Sequence, residues 1–323
     1  MRPETVVTRE SFMTAVTVDI LLLLGGMALV VFTADRMVLA SADLAARWGI
    51  SPVIVGAVII GFGTSLPEMT VSLLALDQPN GLDLAVGNAV GSNIANISLI
   101  LAIAVIVYPF GGQTKVVKRE GGLMLSACVL VSLTLWDGAL RLYEGATLLV
   151  AMAIAGYAVV SWSRGSPAND LEGVRTERAT WVNIAIAVLA LAGLLAGARG
   201  MVVGAESIAL EIGLSEAVVG LTVLALGTSL PELGTVIASA RRGRNDLVLG
   251  NVLGSNVFNA LGVVGATGLV GPGALETSFR PDLVVMILVA VLAGVIAWSG
   301  DRLHRWEGVL LLAAYPVAIV LAL

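Results

Sequence analysis

Apolar residues run through the chain in long stretches broken by short polar intervals. They fall at 14–40, 52–76, 83–108, 121–137, 142–162, 181–205, 216–240, 246–270, 282–299 and 305–323. Most approach the roughly 20 residues that a bilayer core demands of a helix. None shows the alternating pattern of about ten residues that marks a membrane β-strand. The pattern predicts an all-α polytopic membrane protein with ten transmembrane helices. The longest connection, 163–180, is rich in Gly, Pro, Asp, Glu and Arg and reads as a water-exposed linker. It divides the chain into a first five-helix unit at 1–162 and a second at 181–323. No small-residue cleavage site follows the first apolar stretch, so no removable signal peptide is expected.

The two units repeat one another. Gly63-Thr64-Ser65-Leu66-Pro67-Glu68 recurs as Gly227-Thr228-Ser229-Leu230-Pro231-Glu232, an offset of 164 residues. Gly49-Ile50-Ser51 matches Gly213-Leu214-Ser215 at the same offset, and the segment from Asp83 to Asn96 recurs as Asp246 to Asn259 at an offset of 163. The copies lie five helices apart. An odd number inserts the second copy from the opposite side, giving inverted-topology repeats, an arrangement common in secondary transporters.

Composition narrows the function. The chain is 58% apolar and 13% charged, whereas soluble domains hold about 45–50% and about 25%. The single Cys128 and single His304 exclude an internal disulfide, an iron–sulfur cluster and an HExxH metalloprotease. Thirteen of the eighteen basic residues fall in the loops after the first, third, fifth, seventh and ninth stretches. Basic residues mark cytoplasmic loops, so both termini are expected outside the cytoplasm and the linker within it, in the cell (inner) membrane. The expected surroundings are lipid, with no nucleic-acid partner and no cofactor, and the chain is expected to act as a monomer.

Only two carboxylates sit well inside apolar stretches, Glu68 and Glu232. An ionised carboxylate there costs on the order of 3 kcal/mol or more and normally faces a cavity and a partner. No Lys or Arg lies at comparable depth in the same stretches, so a mobile cation is the natural counter-charge. Pro67 and Pro231 each remove a helical N–H and free the carbonyl four residues back, at Gly63 and Gly227. Around each break stand Thr64 and Ser65, or Thr228 and Ser229. On the adjoining helices Ser92 and Asn96 share a face, as do Ser255 and Asn259. The Gly87–Gly91 and Gly250–Gly254 spacings predict close helix approach, while Asn88, Asn93, Asn251 and Asn256 read as packing groups. The resulting donor set is oxygen-only, which suits hard cations such as Ca²⁺. Two glutamates carry −2, matched by one Ca²⁺, two Na⁺ or two protons.

The paired GTSLPE and GN-x-x-GSN-x-x-N segments resemble the α-repeats of the cation/Ca²⁺ exchanger superfamily, specifically its prokaryotic sodium/calcium exchanger branch. The resemblance implies a secondary antiporter that is not an enzyme, exchanging Ca²⁺ for Na⁺ by alternating access. It places Glu68 and Glu232 at the centre and makes Thr64, Ser65, Thr228, Ser229, Ser92 and Ser255 ligands of Ca²⁺ or flanking Na⁺. It adds backbone carbonyls at Gly61 and Ala225, and it implies that the long first and sixth helices slide against the other eight. Asn259 stands where potassium-dependent members carry Asp, so no potassium requirement is expected. A proton/Ca²⁺ exchanger using the same glutamates is the alternative. The hydroxyls favour sodium, because protons do not need them. A passive Ca²⁺ channel would differ in lacking uphill, counter-ion-coupled transport.

Overall fold

The structure, a computed structural model, describes residues 9–111, 116–163, 177–211, 225–276, 278–299 and 302–322. Most of the linker and the first part of the 216–240 stretch therefore lie outside the described residues. The described chain is almost entirely helical. We label its helices α1 Arg9–Trp48, α2 Pro52–Ala75, α3 Gly81–Val107, α4 Gly122–Leu135, α5 Leu142–Ser163, α6 Thr180–Glu211, α7 Ala225–Arg241, α8 Asn245–Val270, α9 Arg280–Ser299 and α10 Arg305–Ala322. Seven (α1, α2, α3, α5, α6, α8 and α9) are long and apolar enough to cross a membrane, against the ten expected. The turn before α4, Val117–Gly121, carries Lys118, Arg119 and Glu120, and α7 is described only from Ala225.

α1 and α6 run beyond the expected ends at residues 40 and 205. In α1 the extension is held by local polar pairing. Asp43, buried, accepts from Arg47 one turn on and from Asn183 Nδ2 of α6 at 2.5 Å. At the opposite end of the same helix pair, Ser207 Oγ of α6 donates to Asp19 Oδ2 of α1 at 2.6 Å. Low-numbered residues of one helix thus meet high-numbered residues of the other, so α1 and α6 lie antiparallel. Between these end contacts the backbones touch closely: a Cβ on Gly26 would sit 2.5 Å from the Gly197 carbonyl oxygen and 2.8 Å from Met201 N.

α2 and α7 each lead into a sharp turn that returns the chain as α3 or α8. The turns use left-handed residues, Asn80 at φ 56° and Gly243 at φ 67°, which occupy equivalent positions in the two repeats. Such φ values are tolerated by Gly and, among other residues, best by Asn and Asp. Two brackets tie the halves together. Ala139–Leu140, after α4, pairs antiparallel with Gly273–Ala274, after α8. Gly111, after α3, bridges Arg302, after α9, and Leu303 N donates to Phe110 O at 2.6 Å. Loops following even-numbered helices meet one another, as do loops following odd-numbered ones. The largest apolar core lies among α3, α4, α5, α8, α9 and α10, and a second core joins α1, α6 and α2.

Candidate functional site

α2 and α7 both break at the proline motif. Ser65 (φ −87°, ψ 8°) and Ser229 (φ −90°, ψ 6°) leave the helical region, and each helix restarts with Pro67 or Pro231 in its first turn. A proline is tolerated at the first turn because no N–H is needed there. Each restarted helix then carries its glutamate in the first turn, where unpaired N–H groups and the positive end of the helix dipole favour negative charge. Glu68 and Glu232 are each 1% exposed.

The two breaks meet, and the contact is an exchange. Ser65 Oγ donates to Glu232 Oε1 at 2.8 Å, and Ser229 Oγ donates to Glu68 Oε1 at 3.3 Å. Each repeat therefore supplies the acid for the other's hydroxyls. The second oxygens, Glu68 Oε2 and Glu232 Oε2, are buried with no hydrogen-bond partner. Buried polar atoms are nearly always satisfied, and a carboxylate is acceptor-only when ionised. A metal cation or a proton would satisfy such oxygens.

Four more orphaned atoms belong to Asn96 and Asn259, whose Nδ2 and Oδ1 are all buried without a partner. Both residues sit in π-helical turns, Asn96–Leu101 in α3 and Phe258–Val263 in α8. Such turns occur often at functional sites. The sequence had placed Asn96 and Asn259 on ordinary helical faces; the widened turns were not foreseen. Ser92 is buried, and Ser255 Oγ donates to Gly61 O at 3.1 Å and to Asn251 Oδ1 at 3.3 Å. The Gly61 carbonyl also accepts from Thr64 Oγ1 at 3.2 Å and Ser65 N at 3.1 Å. With those donors in place its two lone pairs are fully engaged, so an ion would reach it only after the Thr64 and Ser255 hydroxyls turn away. Ala225 opens the described part of α7, and its side chain lies outside the described residues.

A second layer, which sequence reading assigned only to packing, holds the glutamate backbones. Asn88 Nδ2 donates to the Glu68 carbonyl at 3.1 Å and to Ser72 Oγ at 3.0 Å. Asn251 Nδ2 donates to Thr235 Oγ1 at 2.6 Å, and Thr235 Oγ1 bonds the carbonyls of Pro231 and Glu232 at 3.0 Å. Ser72 and Thr235 follow their glutamates by four and three residues, which puts each on its glutamate's helical face. Asn256 Nδ2 instead bonds Val252 O within its own helix, at 2.9 Å, as a packing group would.

Close approach is concentrated on α8. A Cβ on Gly254 would lie 2.5 Å from Ala57 Cα and 2.8 Å from Ala57 Cβ of α2, and one on Gly250 would meet Val53 O. The repeat-related neighbours of Gly87 and Gly91 fall at 217–221, outside the described residues.

Comparison with known proteins agrees with this geometry. The family described as sodium/calcium exchanger protein matches residues 18–161 and 182–323. Inner membrane protein YrbG of Escherichia coli (strain K12) is 36% identical over 311 residues, covering 92% of this chain and 94% of YrbG. Sodium/calcium exchanger MaX1 of Methanosarcina acetivorans is 30% identical over 346 residues, covering 94% of this chain and 98% of MaX1. Among solved structures, the sodium-calcium exchanger NCX_Mj soaked with zero Na⁺ and Ca²⁺ superposes with a TM-score of 0.83 at 30% identity, covering 94% of this chain and 99% of that one.

Proposed function

The chain belongs to the sodium/calcium exchanger family, a cation/Ca²⁺ antiporter and not an enzyme, and on that premise we propose that it exchanges Ca²⁺ for Na⁺ by alternating access. The observation that carries the reading is the reciprocal pairing of Ser65 with Glu232 and Ser229 with Glu68, which leaves one oxygen of each acid buried and open to a cation. Glu68 and Glu232 form the centre of the ion site. Thr64, Ser65, Thr228, Ser229, Ser92 and Ser255 contribute hydroxyls, Asn96 and Asn259 contribute amide oxygens, and Gly61 and Ala225 contribute carbonyls. Ca²⁺ takes about 6–8 oxygens in flexible geometry, and this set can supply them without thiolate or imidazole. Sodium shares the preference for hydroxyl and carbonyl oxygens; a proton would need only the carboxylates.

Ten spans in two inverted repeats, 1–162 and 181–323 about the 163–180 linker, complete the proposal. Three observations support it: the sequence repeat, the antiparallel contact of α1 with α6, and the separate meeting of odd-loop and even-loop brackets. Basic loops put the odd side in the cytoplasm and both termini outside it. The test is Ca²⁺ flux into proteoliposomes under an imposed Na⁺ gradient with pH clamped. Flux that follows the Na⁺ gradient supports the proposal; flux that ignores Na⁺ and follows an imposed pH gradient replaces it with proton exchange.

A further inference from the structure

We infer that Asp35 and Arg199 are the moving halves of two charge-swapped latches, one at each membrane face, that engage in turn as access alternates. The inference rests on the inverted-repeat reading above, but not on which ions are carried.

The repeat offset of 164 relates α2 to α7 and α1 to α6 residue by residue. Along the second half of α7, Leu230, Gly234, Ala238 and Arg241 form a column that packs against α1. A Cβ on Gly234 would meet Val30 Cγ1 at 2.8 Å, Leu194 Cδ1 at 3.5 Å and Ala34 Cβ at 3.6 Å, and Ala238 is 6% exposed. The equivalent column is Leu66, Thr70 and Leu74 of α2, with Asp77 in the turn just past its end. It lies open: Leu66 is 44% exposed, Leu74 is 63% exposed, and Thr70 and Asp77 are exposed as well. Two faces equivalent in the repeat are thus covered on one side of the molecule and bare on the other.

The covered column ends in a closed ion pair. Asp35 of α1 accepts from Arg241 Nη2 at 2.8 Å and from Arg242 at 2.8 Å (Nε) and 2.5 Å (Nη2). The residue equivalent to Asp35 is Arg199 of α6, and the residue equivalent to Arg241 is Asp77, in the turn after α2. The charges are exchanged between the partners, so the second pair is as complementary as the first. Among the described residues, however, neither the Arg199 nor the Asp77 side chain has a hydrogen bond or ion pair, and both residues are exposed. One latch is shut, at the face where α7 ends and the basic loops lie. Its counterpart is undone at the other face.

Inversion makes the opposite state the mirror of this one. When α1 and α6 shift, α6 covers Leu66, Thr70 and Leu74 and brings Arg199 onto Asp77, while α1 withdraws Asp35 from Arg241 and Arg242. An Arg at this depth in an apolar helix is costly without a partner, which gives Arg199 a reason to close. Either latch favours its own state only by the difference in its bonding between the two. Asp35 and Arg199 are accordingly positioning residues; neither touches the ion site.

The experiment uses accessibility to a membrane-impermeant thiol reagent in a Cys128→Ala background, in vesicles of known sidedness. Thr70→Cys reports the bare column and Leu230→Cys the covered one. Asp35→Asn is expected to lower Thr70→Cys labelling and raise Leu230→Cys labelling by about two- to fivefold, the effect of losing an exposed ion pair. Arg199→Gln and Asp77→Asn are expected to act in the opposite sense. The exchange Arg199→Asp with Asp77→Arg, which re-forms the pair reversed, is expected to restore the parental ratio. Unchanged labelling in Asp35→Asn, or Arg199→Gln shifting labelling in the same direction as Asp35→Asn, would overturn the inference. Because labelling needs no transported ion, failure here is separable from failure of the Na⁺-driven flux assay.

Discussion

Gly254→Ala tests whether the packing of α8 on α2 sets the geometry of the ion site. The added methyl would lie 2.5 Å from Ala57 Cα, 2.6 Å from Ala57 O and 2.8 Å from Ala57 Cβ. Ordinary carbon contacts fall at roughly 3.5–4.0 Å, so α2 must retreat by about 1 Å. The Ser255 Oγ to Gly61 O bond, now 3.1 Å, would then stretch to about 4 Å, beyond hydrogen-bonding range. Overpacking costs about 1–3 kcal/mol, and the lost bond adds about 1 kcal/mol. The better helix propensity of Ala returns about 1 kcal/mol, leaving a net loss of about 1–3 kcal/mol. The measurements are melting temperature in detergent and Na⁺-driven Ca²⁺ flux in proteoliposomes. Gly254→Ala is expected to melt several degrees lower and to lose most of its flux. Gly294→Ala, whose methyl meets nothing within 4 Å, is expected to match or slightly exceed the parent in both. A Gly254→Ala protein that melts and transports like the parent would refute the link between this contact and the site.

Glu68→Gln and Glu232→Gln are each expected to abolish Ca²⁺ flux while inserting normally, as judged by membrane yield and a monodisperse elution profile; substantial residual flux in either removes that acid from the site. Asn259→Asp adds a third negative charge beside two buried acids and is expected to change the ratio of Ca²⁺ to Na⁺ affinity by tenfold or more, read by isothermal titration; an unchanged ratio places Asn259 outside the ligand set. Asp43→Ala removes the buried acceptor shared by Arg47 and Asn183, and a hydrogen bond to a charged group is worth about 1.5–3 kcal/mol. It is expected to lower the melting temperature while leaving ion affinity intact, and a shift in affinity without a change in melting would contradict this.

The helices and the acids of this fold are legible in the chain because bilayer physics writes them plainly. A run of about 20 apolar residues has few alternatives, and a glutamate within it after a proline is too costly to be incidental. The repeat made the site legible too, since two identical hexapeptides predict two half-sites that meet. Other features were hidden for physical reasons. Asn96 and Asn259 lie in π-helical turns that no local residue preference announces. The three donors on the Gly61 carbonyl come partly from another helix, through Ser255, and no spacing along the chain reveals that. The partners of Asp19 and Asp43, Ser207 and Asn183, come from α6, and no spacing along the chain reveals them.

The crossed bonding of Ser65 with Glu232 and Ser229 with Glu68 carries a consequence for how such a molecule can be built. A half-length polypeptide holding one hexapeptide could complete its own acid only by pairing upside down with a second copy of itself, in which case both partners would have to stay identical. Fusing the halves lifts that constraint. Thr70 can then differ from Gly234, and an aspartate can stand where the other half has an arginine, so that two faces of one ancestral design settle unequally against the same pair of helices.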